Sequence, residues 1–273
     1  MHQHQEYEPP EALRDVIQCF WLDSRKSGAA GAEFEVLPDG FAEIIFHVGG
    51  DCSVVLPGGR QPLPSPFMMG LLDQPVRFYS THQLTILAIR CFPWTVFDLL
   101  GLPAGKGGIH IFTHPIAGLQ PILQQQLTSG DIDGALRLVI DYFLEIRAQV
   151  AMDSMLHKAG MALRQANGML PVSEVAAAAH ATVRTLERNF KQSSGHTVKD
   201  VSGLMRFEQV RNQLWRHPAM SLAGLAAELG YTDQSHLSRE FKRYSGTTPA
   251  AFARKARQTK QTVSRDFVAF VQA

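Results

Sequence analysis

Short apolar stretches, bounded by Pro and Gly, dominate the first third of the chain. The first two lie at residues 34–37 and 42–48, on either side of a Pro-Asp-Gly break. β-branched and aromatic residues in such stretches favour strands joined by turns. The same pattern predicts further strands at residues 53–56, 67–71, 76–79 and 85–92. Short strands at this spacing predict a small antiparallel sandwich or barrel.

The flanks of this β-rich segment have different patterns. Residues 1–10 are polar and end in a Pro pair, which predicts a loose start, and residues 11–22 predict a short helix or a helix-to-strand transition. After the strands, helical periods predict helices at residues 94–100, 115–127 and 131 to about 163. The last has a broad apolar stripe of Leu136, Val139, Ile140, Phe143, Leu144 and Ile146. The stripe predicts either an intradomain core helix or a partly exposed dimer surface.

Residues 222–254 have the apolar period of three short helices. Gly230 permits a turn after the first helix, and either Thr232 or Asp233 can cap the second. Gly246 suits the end of the second helix. The inward positions are Leu222, Leu225, Ala226 and Leu229 in the first helix, and Leu237 and Phe241 in the second. Two short helices around a glycine turn predict a helix-turn-helix motif with a polar outer face.

An upstream segment, residues 172–195, repeats this arrangement. Leu186, Arg188, Phe190, Lys191 and Gly195 match Leu237, Arg239, Phe241, Lys242 and Gly246 at an offset of 51. In the preceding helices the offset is 50, since Ala176 matches Ala226. The second turn is therefore predicted to be one residue longer. The repeat indicates two copies of one structural unit, and residues 198–215 predict a long helix that holds them apart.

The run over residues 230–252, G-Y-T-D-Q-S-H-L-S-R-E-F-K-R-x-x-G-x-x-P-x-x-F, resembles the most recognisable segment of the AraC/XylS family of bacterial transcription regulators. This chain departs from the family pattern at three positions. His180 stands where the first turn usually has glycine, Leu237 where an aromatic residue is common, and Ala253 where an arginine is common. The resemblance implies two recognition helices that enter successive major-groove segments on one DNA face, about 34 Å apart.

A looser resemblance covers the N-terminal half. Phe20-Trp21, the LPDG at residues 37–40 and the AIRCFP at residues 88–93 resemble a cupin-like domain that precedes many AraC-type DNA-binding domains. The predicted fold is α+β, with antiparallel β structure and helices followed by an all-α domain. The predicted divisions are a cupin-like effector or dimerisation domain at 1–150, a DNA-binding domain at 151–262 with motifs near 172–195 and 222–246, and a helical tail at 263–273.

Charge separates the two halves. The chain carries a net charge of +1, but residues 1–152 hold 9 Lys and Arg against 16 Asp and Glu, and residues 153–273 hold 17 against 9. The halves thus carry −7 and +8. A basic C-terminal half attracts phosphates, whereas the acidic half is repelled by them.

The outer faces of the two predicted recognition helices supply candidate DNA contacts. In the first helix, Arg184 and Arg188 can bind guanine, and Glu187 either accepts from a cytosine amino group or aims one of these arginines through an ion pair. In the second, Gln234 suits adenine and Arg239 suits guanine. Ser235 and Ser238 share that second face, and Lys191, Lys242 and Arg243 at the helix ends are candidate phosphate contacts or solvated charges.

Catalysis is not predicted. The sequence has no paired carboxylates, phosphate loop or nucleophile elbow, and its histidines lack the spacing of a metal site, so neither a metal nor a cofactor is expected. The absence of an apolar run of about 20 residues predicts a cytosolic protein without membrane contact. The expected partners are double-stranded DNA, a small-molecule effector in the N-terminal domain, a second copy of the chain in a homodimer, and RNA polymerase.

Three other functions compete with this one. The N-terminal domain can serve dimerisation alone, without an effector. A thiol-based redox sensor would use Cys19, Cys52 or Cys91 and requires an exposed thiol with a low pKa. A DNA-repair alkyl acceptor would require an activated cysteine near the DNA, and no cysteine follows residue 91.

Overall fold

The computed structural model of the chain describes residues 2–28, 30–103, 105, 107–150, 154–260 and 270–271. Two antiparallel sheets with flanking helices are followed by a helical C-terminal part, so the α+β prediction is confirmed. The described strands are β1 (His2–Tyr7), β2 (Ile17–Lys26), β3 (Ala32–Val36), β4 (Ala42–Gly49), β5 (Cys52–Leu56), β6 (Gly59–Pro62), β7 (Phe67–Met69), β8 (Val76–Ser80), β9 (Gln83–Cys91), β10 (Ile109–His110) and β11 (Phe270–Val271). The described α-helices are α1 (Pro93–Leu100), α2 (Gln120–Ser129), α3 (Ile132–Gln149), α4 (Met155–Gln165), α5 (Val172–Ala178), α6 (Val183–Ser194), α7 (Val198–Arg216), α8 (Leu222–Glu228), α9 (Gln234–Ser245) and α10 (Pro249–Lys260).

The two sheets enclose one core and the helices enclose another. The first sheet has the order β1-β2-β9-β4-β7-β10, and the second has the order β11-β3-β8-β5-β6. Trp21, Phe34 and Phe78 lie in the core between the sheets. On the opposite face of the first sheet, Phe46 packs with Phe143 of α3. Because β4 and β9 are covered on both faces, they are almost continuously buried, and most of their residues are apolar.

The N-terminal start is ordered, and the prediction of a loose segment is wrong. Strand β1 pairs with β2 from His2 opposite Arg25 to Tyr7 opposite Phe20. It lies at the edge of the first sheet, where backbone pairing to a longer neighbour orders a strand despite its polar side chains. The predicted helix or transition over residues 11–22 is a short 3₁₀ turn, Glu11–Leu13, that leads into β2.

The single helix predicted from residue 131 to about 163 is two helices. Helix α3 ends at Gln149, where Val150 takes an extended conformation. Helix α4 begins after Ser154, whose hydroxyl accepts a hydrogen bond from the His157 N–H at 3.0 Å. An N-cap of this kind starts a new helix even where the apolar period runs on.

The apolar stripe of α3 packs mainly within its own domain. Leu136, Val139 and Phe143 are buried in the core against α2 and the first sheet, while Ile140 and Leu144 are half-buried at its margin. The core-helix interpretation accounts for the centre of the stripe. A dimer surface along its margin stays a prediction.

The C-terminal tail was predicted to be helical over residues 263–273. Residues 261–269 and 272–273 lie outside the described residues. Phe270–Val271 contradicts a helix at that point, because it forms the short strand β11, antiparallel to β3. Strand β3 would otherwise be the edge of the second sheet, and an edge presents unpaired backbone groups that accept a further strand.

The N-terminal part contributes side chains to the core of the C-terminal part. Phe92 and Trp94 stack with ring centroids 5.6 Å apart and lie in the same apolar cluster as Leu163 and Phe190. Helix α1, which carries Trp94, packs against α4 and α6. Gly160 of α4 faces the Trp94 ring, and a Cβ there would lie 2.1 Å from it. The two parts of the chain are therefore joined through apolar packing.

Candidate DNA-binding surface

Two helix-turn-helix motifs occur at the positions that the repeat predicts. The first comprises α5 and α6, and the second comprises α8 and α9. The turn backbones match, since the Ala181 N–H binds the Ala176 carbonyl at 2.9 Å and the Tyr231 N–H binds the Ala226 carbonyl at 2.9 Å. Residues 179–182 separate the first pair of helices and residues 229–233 separate the second, so the second turn is one residue longer.

His180 takes the left-handed backbone conformation that glycine takes in the second turn. Its φ is +51°, and that of Gly230 is +69°. The departure from the family pattern therefore leaves the geometry of the first turn unchanged. A residue with a Cβ pays about 1–2 kcal/mol for this conformation.

The two recognition helices, α6 and α9, begin in the same way. The Thr182 hydroxyl accepts a hydrogen bond from the Thr185 N–H at 3.2 Å, and the Asp233 carboxylate accepts one from the His236 N–H at 2.7 Å. These N-caps are 51 residues apart, as the repeat requires, and Asp233 rather than Thr232 is the cap. Gly195 and Gly246 end the two helices in left-handed conformations. Caps at both ends define which residues face outward.

Helix α7 holds the two motifs in a defined arrangement. It starts in a capping box formed by Thr197 and Asp200, and its Phe207 ring contacts the Phe241 ring of α9 at 5.1 Å. The Arg206 guanidinium donates to the Gly168 carbonyl at 3.0 Å and to the Glu240 carboxylate at 3.4 Å. Gly168 lies between α4 and α5 and Glu240 belongs to α9, so one side chain joins the segment that leads into the first motif to the second motif.

The predicted base-reading residues lie on the surface. Arg184, Arg188, Arg239, Gln234 and Ser235 are exposed, and Ser238 is half-buried. Within the described part of the chain, none of the three arginines forms an ion pair with a carboxylate. Their charges are thus available to an anionic partner. Their contact with DNA stays a prediction.

Glu187 is engaged differently from either role predicted for it. Its carboxylate accepts a hydrogen bond from the Val198 N–H at 3.3 Å, at the first residue of α7. Backbone N–H groups at a helix start have no partner within the helix, so a carboxylate there is stabilised by the hydrogen bond and by the helix dipole. Glu187 therefore ties α6 to α7, and no ion pair to Arg184 or Arg188 occurs among the described residues.

The three candidate phosphate contacts also differ from one another. Lys191 and Lys242 are exposed, without ion pairs among the residues described. The Arg243 guanidinium lies 3.6 Å from the Asp200 carboxylate and 3.9 Å from that of Asp73 in the N-terminal part. Arg243 therefore bridges the two parts of the chain in this structure.

One exposed residue on the outer face of α6 was not predicted from the sequence: Val183, the first residue of the helix, which is 44% exposed. The repeat contained the signal that would have found it. At the offset of 51, Val183 is the counterpart of Gln234, which was predicted to read a base.

A buried group of charges connects the N-terminal part to α7. Arg90 of β9 forms an ion pair with Asp39 and lies 3.5 Å from the Glu43 carboxylate. Arg211 of α7 donates to the Pro38 carbonyl at 3.1 Å and lies 3.7 Å from Glu208 of the same helix. The LPDG segment therefore contacts α7 through Pro38, and this contact was not predicted from the sequence.

Glu43 extends this group into the space between the two sheets. Its carboxylate accepts a hydrogen bond from the Trp21 indole at 3.1 Å. Burial raises the pKa of Glu43 to about 7, against the opposing effect of Arg90. It lines a cavity of about 20 Å³ together with Trp21, Phe34, Phe67 and Phe78. Such a volume holds about one water molecule, so side chains fill most of the interior.

The three thiols do not have the properties that a redox sensor needs. All are buried. Burial raises the pKa of Cys19 and of Cys52 to about 12, and it raises the pKa of Cys91 as well. Reactive cysteines are exposed and have lowered pKa values. This geometry does not favour the redox alternative.

Two kinds of feature are absent from the described residues. No cluster of three or more His, Cys, Asp or Glu side chains suited to a metal ion occurs among them. None of their helices combines the length and apolar character needed to cross a membrane.

Two family models match the chain. One, described as a helix-turn-helix domain, matches residues 175–255, and the other, described as a domain of unknown function (DUF6597), matches residues 5–107. The first covers α6 to α9 and the end of α5, and the second covers the main strands of both sheets and α1. No curated protein matches the chain.

Several solved structures are similar at low identity. ToxT from Vibrio cholerae is 11% identical, over 86% of this chain and 96% of that one, with a TM-score of 0.46. The DNA-binding domain of AdpA, solved with a target DNA, is 23% identical over 41% of this chain and 99% of that one, with a TM-score of 0.37. A regulator from Chromobacterium violaceum with an AraC-type DNA-binding domain is 21% identical over 38% and 93%, with a TM-score of 0.36.

Proposed function

Residues 175–255 are a helix-turn-helix domain of the AraC type, and from this premise we propose that the protein is a sequence-specific transcriptional regulator that places two recognition helices in successive major-groove segments. One observation carries the proposal. The motifs α5–α6 and α8–α9 share turn geometry and N-caps, and α7 contacts both, through Glu187 of α6 and Phe241 of α9. Two equivalent outer faces held by one rigid element suit a long, non-palindromic DNA site.

The side chains on these faces support direct reading of bases. Arg184, Arg188 and Arg239 are exposed and without carboxylate partners in the described structure. A guanidinium binds the O6 and N7 acceptors of guanine in a bidentate manner. Gln234 and Ser235 supply neutral donors and acceptors beside Arg239. Lys191 and Lys242 are proposed to contact phosphates, and the net charge of +8 over residues 153–273 supports their approach to DNA.

The N-terminal domain is proposed to regulate DNA binding through its contacts with the C-terminal domain. The shared packing of Phe92 and Trp94 and the buried charges of Arg90 and Arg211 support this coupling. A small-molecule effector between the sheets would have to displace side chains, because the present cavity is about 20 Å³. A homodimer along the margin of α3 and a contact with RNA polymerase complete the proposal.

The DNA-binding proposal is tested with the full-length chain and a duplex that it enriches from a randomised pool. We expect Arg188→Ala and Arg239→Ala each to weaken binding to that duplex by about 1–3 kcal/mol, because each removes a contact to a base edge. Footprinting should protect two segments one helical turn apart, about 34 Å. Gel-shift titration measures the affinities.

A matched control is Arg60→Ala, which removes an exposed arginine of β6, at the edge of the second sheet and outside both motifs and α3. It should leave the affinity unchanged. Two outcomes contradict the proposal: a chain that enriches no sequence from the pool, or arginine variants of α6 and α9 that bind as tightly as the wild type.

A further inference from the structure

Val183 presents an apolar surface at the start of α6 that the packing of the domain does not require. The residue is 44% exposed, although Leu186, three residues later, is fully buried. In the described C-terminal part, the other exposed large apolar residue is Met169, whose side chain lies beside Gly230 at the second turn. Val183 is absent from the apolar cluster that forms the core of this part.

The backbone directs Val183 beyond the start of the helix. Thr182 caps α6 through its bond with the Thr185 N–H at 3.2 Å, which makes Val183 the first helical residue. In a helix the Cα–Cβ bonds tilt toward the N-terminus. N-terminal residues of a recognition helix are those that contact base edges in the major groove.

The repeat places Val183 among the base-reading positions. Its counterpart in the second motif is Gln234, which is likewise the first residue of its recognition helix and exposed. In α6 the Glu187 carboxylate is bound to the Val198 N–H. The outward side chains left at the start of α6 are therefore Val183 and Arg184, followed one turn later by Arg188.

A valine side chain has no hydrogen-bond donor or acceptor, so it discriminates between bases only by apolar contact. In the major groove the apolar group that distinguishes one base is the C5 methyl of thymine. We infer that Val183 contacts a thymine methyl next to the base bound by Arg184. This inference rests on the proposed function and extends it, because it assigns a base to one position. The second motif, with Gln234 at the same place, lacks this contact.

The test removes the C5 methyl group from thymine and the two γ-methyl groups from Val183. The duplex enriched by the full-length wild-type chain is resynthesised with deoxyuridine in place of each thymine in turn, and wild type and Val183→Ala are titrated against every duplex. At one thymine within the segment protected by α6, deoxyuridine should weaken wild-type binding about threefold to tenfold, the range expected for one buried methyl group. The same replacement should leave Val183→Ala binding almost unchanged.

Two variants serve as controls. Ile111→Ala removes an exposed isoleucine of the N-terminal part, and Gln234→Ala alters the equivalent position of the second motif. Both should keep the wild-type response to deoxyuridine at that thymine. Thermal unfolding of Val183→Ala checks that the domain is folded.

Three results overturn the inference while leaving the proposed function intact. They are an enriched site with no thymine opposite α6, no thymine whose methyl affects wild-type binding, and a methyl effect that is equal in Val183→Ala. A chain that enriches no sequence overturns the proposed function, and the inference with it.

Discussion

At the scale of single residues, His180 takes a left-handed backbone conformation that is unfavourable for a residue with a Cβ but is required by the turn. Its φ of +51° is close to that of Gly230 in the second turn, and its side chain is exposed. The neighbouring hydrogen bond from Ala181 to Ala176 holds the turn closed. The strain therefore comes from the Cβ of His180 alone.

Replacing His180 by glycine should stabilise the protein. The left-handed conformation costs a residue with a Cβ about 1–2 kcal/mol, and the greater freedom of glycine in the unfolded chain offsets about half of the gain. We expect the free energy of unfolding to rise by about 0.5–1 kcal/mol in urea denaturation. The converse change, Gly230→Ala, should lower it. Equal stabilities for His180→Gly and wild type would show that the turn carries no strain.

At the scale of elements, glycine residues in two helices differ in the space around them, and so in the expected effect of a larger side chain. Gly160 of α4 lies against the Trp94 ring, with 2.1 Å between that ring and a notional Cβ. Gly224 of α8 has more room, since the nearest atom to a notional Cβ is in Ser221 at 3.7 Å. Gly160 therefore permits the close packing of α4 on α1, whereas Gly224 is merely a weak helix former.

The two glycines predict stability changes of opposite sign. Gly160→Ala should lower the free energy of unfolding by about 1–3 kcal/mol, because overpacking against Trp94 outweighs the better helix propensity of alanine. Gly224→Ala should raise it by about 0.5–1 kcal/mol. Chemical denaturation of both variants measures the difference. If both changes stabilise the protein, the packing of α4 against Trp94 is looser than the structure indicates.

At the scale of the whole molecule, the buried charged groups near the junction of the two parts make the stability of the fold depend on pH. Glu43 has an ordinary pKa of 4.5 and a folded-state pKa of about 7, chiefly because of burial. A raised pKa means that the folded chain binds the proton more tightly. The stability contributed by this group is therefore complete below pH 4.5 and is lost as the pH rises to about 7.

Glu43→Gln should remove this part of the pH dependence. The amide has no titrating proton, yet its oxygen can still accept the bond from the Trp21 indole. Between about pH 5 and about pH 7, the unfolding free energy of wild type should fall relative to that of the variant, and the difference should level off at higher pH. Urea denaturation across this range measures both profiles. Parallel profiles would mean that Glu43 does not exchange its proton within this window.

Local signals in the sequence predicted the elements that depend on neighbouring residues. The N-cap at Thr232 or Asp233, of which the structure uses Asp233, the helix end at Gly246 and the repeat that relates α6 to α9 all follow from spacing within a few residues or from one constant offset. Six of the described strands, β3, β4, β5, β7, β8 and β9, were predicted in the same way. These features depend on backbone sterics and local hydrogen bonds, which the residue types themselves specify.

The tertiary structure decided which distant residues meet. It pairs His2–Tyr7 with β2, gives the Glu187 carboxylate to the Val198 N–H, and brings Arg211 to the Pro38 carbonyl. Each contact joins groups that no periodic pattern relates, because a polar side chain binds whichever partner the fold places within reach. The sequence by itself therefore determined two helix-turn-helix motifs. Which of their outward side chains remain exposed and unpaired, and how the N-terminal part is joined to them, depended on packing between elements.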